Sequence, residues 1–254
     1  MSPSTRPTER NRLLLALPRV DYRGLLPDLE AVVLAHGEIL FEAREHITHI
    51  YFPQRCVVSL LSAAGDGPGV EVGLIGNEGM VGLSVYLGAA LSTTQAVLQI
   101  PDGAWKMEVG AFAHAIAARA SLRRVLQQYT QSVFSHVTQV LACNERHEVG
   151  PRCARWLLMA HDRVGEDRFQ LTHEYLGQML GARRPTVSVV ARALQSLGLI
   201  TYARGIVTVL DRVGLEGASC TCYAAMEADY ARAFSRPARR RTNDSSKPNE
   251  VTGE

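Results

Sequence analysis

Between Ala118 and Glu148 the chain carries neither proline nor glycine. Its apolar, aromatic and histidine positions there fall at Leu122, Leu126, Tyr129, Val133, His136, Val140, Cys143 and His147. The steps alternate between four and three, the a/d repeat that keeps one stripe of a helix against a partner helix over about four heptads. This predicts a single helix over residues 119–148. A second stripe, Val125, Phe134, Val137 and Leu141, is placed to pack back on the β domain that precedes the helix. A two-sided apolar helix of ~30 residues has more surface than one small domain buries. The seam is therefore read as a homodimer interface, with one long core helix as the alternative. Gly150-Pro151 breaks the run and opens a further helix with Cys153, Trp156, Leu157 and Ala160 on one face.

The residues before this helix have a different period. Leu29–Leu34, Ile47–Phe52, Val57–Leu61, Val70–Ile75 and Ala96–Ile100 are short, apolar and β-branched, with Gly or Pro close by. The stretch Ala64-Gly65-Asp66-Gly67-Pro68-Gly69 reads as a hairpin loop. Many short strands at turn spacing predict a β-roll or jelly roll over residues 13–118. With 254 residues the chain holds one to two domains' worth of sequence, and 46% hydrophobic with 20% charged residues is the balance of a folded chain. No apolar run approaches the ~18 residues of a membrane span, and Leu13–Leu17 is too short for a signal segment. Five cysteines, an odd number, fit a reducing compartment. The expected location is the cytoplasm, away from membranes.

Charge separates the two halves. Residues 13–118 hold 5 Lys and Arg against 11 Asp and Glu, whereas residues 151–215 hold 9 Arg against 5 Asp and Glu. The basic half attracts polyanions. Within it, Thr172 is placed to cap a helix whose inner side is Tyr175, Leu176, Met179 and Leu180, and Gly181 ends that helix. After Gly181-Ala182-Arg183 a second helix begins near Arg184, with Pro185 in its first turn and Val187, Val190, Ala191, Leu194 and Leu197 inside. Two β-like runs, Leu199–Tyr202 and Ile206–Leu210, follow around Ala203-Arg204-Gly205. Helix, glycine turn, helix and hairpin make a winged helix-turn-helix over residues 149–220. Basic side chains at a helix start gain nothing from the helix dipole, and contact with phosphate or guanine explains them better. The residues expected to meet double-stranded DNA are Thr172, His173, Arg183, Arg184, Thr186, Ser188, Val189, Arg192 and Arg204. A last helix is expected over 221–235, and residues 236–254 read as a polar, disordered tail.

Residues 171–211, from Leu-Thr-His-Glu-Tyr-Leu-Gly-Gln-Met-Leu-Gly-Ala-Arg-Arg-Pro-Thr-Val-Ser to Gly205-Ile206-Val207-Thr208-Val209-Leu210-Asp211, resemble the DNA-binding domain of the Crp/Fnr family of bacterial transcription regulators. The preceding β-roll and helix follow that family's order, so the resemblance spans about residues 13–220. It implies an α+β chain: a cyclic-nucleotide-binding-like β-roll, a long dimerisation helix and a winged helix-turn-helix. It also implies a homodimer on a near-palindromic operator, with RNA polymerase as a further partner, and no catalysis. The departures from the family pattern are specific. Where cyclic-AMP-binding members have Phe-Gly-Glu and Arg-Ser for the ribose and phosphate, this chain has Val81-Gly82-Leu83 and Thr93-Thr94. Leu83, Thr93 and Thr94 would line an effector pocket without the carboxylate or the cation that a cyclic nucleotide requires. Any small-molecule effector is then something other than cyclic AMP. In the recognition helix the positions of two family arginines are Arg184 and Val189, so only Arg184 keeps guanine-reading chemistry.

No cofactor and no metal is expected. The N-terminus lacks the cysteine group that holds an iron–sulfur cluster in oxygen-sensing members, the first cysteine being Cys56. Cys220-Thr221-Cys222 supplies two thiolates where a zinc site needs four ligands. His36, Glu38, His46 and His49 lie near one another in sequence without metalloenzyme spacing. Two other readings stay open: a cupin-like metalloenzyme with a fused helical domain, and a ligand-binding module whose winged helix makes protein contacts.

Overall fold

The computed structural model describes residues 9–62 and 69–234. Most of the loop Ala64–Gly69 and the tail 236–254 lie outside the described residues.

In chain order the elements are α1 (Arg12–Leu15), α2 (Arg19–Leu25), β1 (Glu30–Leu34), β2 (Ile39–Phe41), β3 (His49–Pro53), β4 (Val57–Ser62), β5 (Val70–Ile75), α3 (Leu83–Tyr86), β6 (Gln95–Ile100), β7 (Asp102–Glu108) and α4 (Val109–Ala118). Then come α5 (Ala120–Arg146), α6 (Val149–Val164), β8 (Arg168–Gln170), α7 (His173–Leu180), α8 (Arg184–Ser196), β9 (Ile200–Ala203), β10 (Ile206–Val209), α9 (Arg212–Ala218) and α10 (Cys222–Phe234). Two antiparallel sheets, ordered β1-β7-β3 and β2-β6-β4-β5, form the N-terminal β-roll. Leu34, Phe41, Ile47, Val58, Ile75, Val81 and Leu98 are among the residues that fill it. Strand β7 was not legible in the sequence because Pro101 looks like a terminator. It is instead the corner where the chain leaves β6 in one sheet and enters β7 in the other.

Helix α5 forms as its unbroken sequence requires, but its seam faces inward. Leu122, Leu126, Tyr129, His136 and Cys143 are at most 4% exposed within one protomer. The N-terminal half packs on the β-roll with Leu13, Leu14 and Phe112. There the Tyr129 hydroxyl donates to the Met80 carbonyl at 3.1 Å. A side chain at Gly79 would meet Tyr129 at 2.2 Å, so the approach of helix to loop depends on that glycine. The C-terminal half packs on α10. The His136 and Tyr230 rings lie 5.7 Å apart, and Cys143 sits with Cys220 and Cys222. Val133 and Val140 are half-buried against the same two cores, and His147 closes the helix beside Cys222. Of the residues expected at a dimer interface, Leu122, Leu126, Tyr129, His136 and Cys143 are therefore reassigned to the protomer's own core, while Val133, Val140 and His147 are half-buried at its edge. The β-roll and α10 together supply enough apolar surface to satisfy the stripe within the protomer. The face left bare belongs to the second stripe: Phe134 (66% exposed), Val137 and Leu141 (72% exposed), at spacings of three and four.

The helical half is fixed to the β-roll by polar contacts as well as apolar ones. Arg163 on α6 donates through Nε to Glu78 at 3.0 Å, and both side chains are buried. Glu71 on β5 accepts from the indole of Trp156 at 3.1 Å and from the Ser59 hydroxyl. Burial pushes its carboxyl up to about 7, against the opposing pull of those donors and of Arg155 and Arg163. A carboxyl raised in the folded state keeps its proton there while the unfolded chain has lost it. Stability therefore falls as pH rises from the ordinary carboxylate range through about 7. Glu71→Gln, which mimics the neutral form and lets the Ser59 hydroxyl turn to accept, should remove that slope. The residual exposure of the carboxylate keeps the expected gain above pH 7 to ~2 kcal/mol. Urea midpoints at pH 5 and pH 8 measure it, and an equal loss in both proteins would refute the assignment.

Candidate nucleic-acid interface

The recognition unit is built from residues that cap and turn as their chemistry dictates. Thr172 is extended and its hydroxyl oxygen accepts from the Tyr175 amide at 3.2 Å, capping α7. Gly181 ends α7 in the left-handed region, with φ 58°. The turn then folds back tightly. The Ala182 amide donates to the Gly177 carbonyl at 2.9 Å, and a side chain at Gly177 would lie 2.8 Å from the Ala182 carbonyl. Leu176, Met179 and Leu180 of α7 meet Val187 and Leu194 of α8 in one core. Leu197 is an exception to the expected inner face; it is 67% exposed, because α8 has ended at Ser196 and Gly198 turns the chain away.

Opposite that core, Arg184, Pro185, Thr186, Val189 and Arg192 are exposed on the outer face of α8, with Arg183 exposed at its cap. The wing is a three-stranded sheet, β8-β10-β9. Its tip is Arg204-Gly205, with φ of 51° and 75°, a two-residue hairpin turn that puts Arg204 in solvent. Strand β8 is only three residues long, too short for a period in the sequence to mark it. None of the described ion pairs involves Arg183, Arg184, Arg192 or Arg204. Four guanidiniums outside any described ion pair therefore sit around the start of α8, its outer face and the wing, Arg192 alone among them turning its Nε to the Ser188 carbonyl at 3.2 Å.

Three other expected contacts are engaged inside the unit. Thr172 caps α7. The Ser188 hydroxyl lies 3.1 Å from His173 Nδ1 and 3.0 Å from the Arg184 carbonyl. His173 stacks on Tyr202 of the wing, with centroids 4.2 Å apart, and burial followed by the Arg184 charge lowers its pKa. His173, Ser188 and Tyr202 thus brace α7, α8 and β9 at a fixed angle. The Tyr202 amide adds a bond to Gln195 Oε1 at 2.9 Å. Sequence alone did not mark Tyr202, since its role exists only where three elements meet.

The structure also gathers Leu83, Thr93 and Thr94. They line a cavity of about 240 Å³ between the β-roll, α5 and α10, together with Tyr129, His136 and Tyr230. No Lys, Arg, Asp or Glu is among the described residues lining it. Burial, with Arg163 and Arg155 nearby, lowers the His136 pKa to about 3, so that ring is neutral at physiological pH. His36, Glu38, His46 and His49 do not converge: His36 Nδ1 bonds the Gln99 carbonyl at 2.8 Å, and His49 pairs with Thr48. No helix among the described residues is long and apolar enough to cross a membrane.

Residues 151–218 match the family model of the Crp-like helix-turn-helix domain. No curated protein sequence matches the chain. Among solved structures, FixK2 from Bradyrhizobium japonicum is similar with a TM-score of 0.65 at 16% identity, covering 76% of this chain and 98% of that one. A regulator assigned to the Crp/Fnr family from Eubacterium rectale gives 0.60 at 18% identity, covering 81% and 96%. The c-di-GMP responsive global regulator CLP from Xanthomonas campestris gives 0.56 at 13% identity, covering 76% and 99%. The chain therefore carries a Crp-like helix-turn-helix domain on the fold of the Crp/Fnr transcriptional regulators.

Proposed function

We propose that this protein is a sequence-specific, DNA-binding transcription regulator that acts as a homodimer on a near-palindromic operator, in the cytoplasm and with RNA polymerase as a partner. The observation that carries the reading is the set of four exposed arginines in no described ion pair, Arg184 and Arg192 on the outer face of α8, Arg183 at its cap and Arg204 at the wing tip. Helix α8 enters the major groove with Arg184 toward a base edge and Val189 toward a thymine methyl. Arg183, Arg192 and Arg204 hold phosphates and set the register. The two copies meet through Phe134, Val137 and Leu141, which puts two recognition helices on successive major grooves about 34 Å apart. Selection of bound fragments from a genomic library tests this. It should enrich one motif with two-fold symmetry and half-sites a helical turn apart. Salt-dependent binding with no enriched sequence would leave only a non-specific polyanion binder.

The cavity lined by Leu83, Thr93 and Thr94 is the place for a signal. It offers no fixed charge to a phosphate, so its ligand is uncharged and mainly apolar. Calorimetric titration with cyclic AMP is expected to give no saturable heat. Micromolar binding would overturn this part of the reading without touching the DNA contacts.

A further inference from the structure

Cys143 and His147 lie one turn apart near the end of α5, on the same face. Cys220 and Cys222 flank the start of α10. The fold brings the four together, and their ligand atoms all lie within 4.8 Å of one another, the one such group among the described residues. The Cys143 and Cys220 sulfurs are 3.5 Å apart, and the Cys222 sulfur is 3.6 Å from His147 Nδ1. Around a tetrahedral zinc ion, bond lengths of about 2.3 Å to sulfur and about 2.0 Å to nitrogen imply S···S edges near 3.8 Å and S···N edges near 3.6 Å. These two spacings already match those edges, and the widest, up to 4.8 Å, closes by about 1 Å through side-chain rotation. An iron–sulfur cluster spreads its thiolates around a multi-iron core and would not fit between them.

A second observation is independent of the ligands. Arg152 and Arg155 on α6 are buried, at 9% and 4% exposure, and neither is in an ion pair among the described residues. Among the described residues, Arg155 donates to the sulfurs of Met159 and Met226 alone, and Arg152 to the Leu180 carbonyl. The Nε of each has no hydrogen-bond partner among the described residues. Buried cations call for a nearby anion. Both guanidiniums act electrostatically on Cys143, and Arg152 also acts on Cys220. Three thiolates, a neutral imidazole and a dication carry a net charge of −1, which faces Arg152 and adds to the Glu71 carboxyl as counter-charge for Arg155.

We propose that Cys143, His147, Cys220 and Cys222 form a tetrahedral Zn²⁺ site. Binding displaces three thiol protons to solvent and involves no redox change. The ion joins the end of α5 to the start of α10. The Cys220 amide bonds the Pro151 carbonyl at 3.4 Å, which links the same point to α6. Because Tyr230 of α10 also walls the effector cavity, zinc holds that wall and the helical unit on one anchor.

The test uses the full chain, expressed with zinc and handled under reducing conditions. Mass spectrometry of the metal content should give one zinc per chain after gel filtration. Cys220→Ser and Cys222→Ser should drop it below roughly a tenth, while Cys56→Ser, outside the cluster, keeps it. Where a variant fails to fold, the wild-type chain reconstituted with Co²⁺ decides. Strong tetrahedral d–d bands with a thiolate-to-cobalt charge-transfer band are expected. No bound zinc, a weak octahedral cobalt spectrum, full zinc retention in Cys222→Ser, or a Cys143–Cys220 disulfide in the isolated chain would each overturn the proposal.

Discussion

Phe134→Asp combined with Leu141→Asp should split the dimer and abolish operator binding, while each protomer stays folded. Both side chains are largely solvent-exposed in the protomer, so charging them removes nothing that holds it together. Across a two-fold axis each substitution meets its own copy, and like charges brought together cost several kcal/mol. The dimer should weaken by roughly a thousandfold, enough to appear as monomer in light scattering at micromolar protein. One head alone holds only a half-site and loses the gain of two linked contacts. The opposite experiment discriminates between the two stripes. Val133→Glu with Val140→Glu places charges in the cores formed with the β-roll and α10, and this should unfold or loosen the protomer rather than separate two intact ones. A Phe134/Leu141 variant that stays dimeric would move the interface elsewhere. A monomer that grips the full palindrome as tightly as the wild type would show that assembly does not couple the heads.

Arg184→Ala should cost ~1–3 kcal/mol of specific binding, about a 5- to 150-fold loss, and relax preference at one base pair of each half-site. Arg184 opens α8, is exposed, and is in no ion pair, so its removal leaves no buried partner stranded. Its backbone carbonyl still receives the Ser188 hydroxyl, so the brace through His173 survives. Arg183→Ala and Arg204→Ala should behave differently. Each should weaken binding uniformly across sequences and flatten the salt dependence by about one phosphate contact. Gel shifts on the selected operator and on single-base variants, at several salt concentrations, separate the two behaviours. A uniform loss for Arg184→Ala would reassign it to the backbone.

The recognition unit was the most legible part of the chain because its signals are local. Thr172 as cap, Gly181 at positive φ, Pro185 in the first turn and Arg204-Gly205 at the hairpin each follow from one residue's own conformational preferences. The β-roll was legible as a class but not strand by strand. Strand β2 is three residues long, and Pro101 hides the change of sheet before β7. Within the expected DNA-contact set, exposure separates Arg183, Arg184, Thr186, Val189, Arg192 and Arg204 from Thr172, His173 and Ser188. That division depends on where α7, α8 and the wing meet.

By itself the sequence determined that one helix runs over about residues 119–148, observed as 120–146, and that its seam must be covered, because an unbroken four–three stripe cannot stay in water. It could not say by what, since a heptad seam is satisfied equally by a second copy, a sheet or another helix of the same chain. Only the tertiary structure decided that, by laying α10 along the C-terminal half of α5 and the β-roll along the N-terminal half. The same packing turned an incomplete Cys-x-Cys pair into a four-ligand cluster, because Cys143 and His147 stand some seventy-five residues away in the chain and one contact away in the fold. Periodicity is a property of neighbours in sequence; burial, charge balance and ligand count belong to neighbours in space.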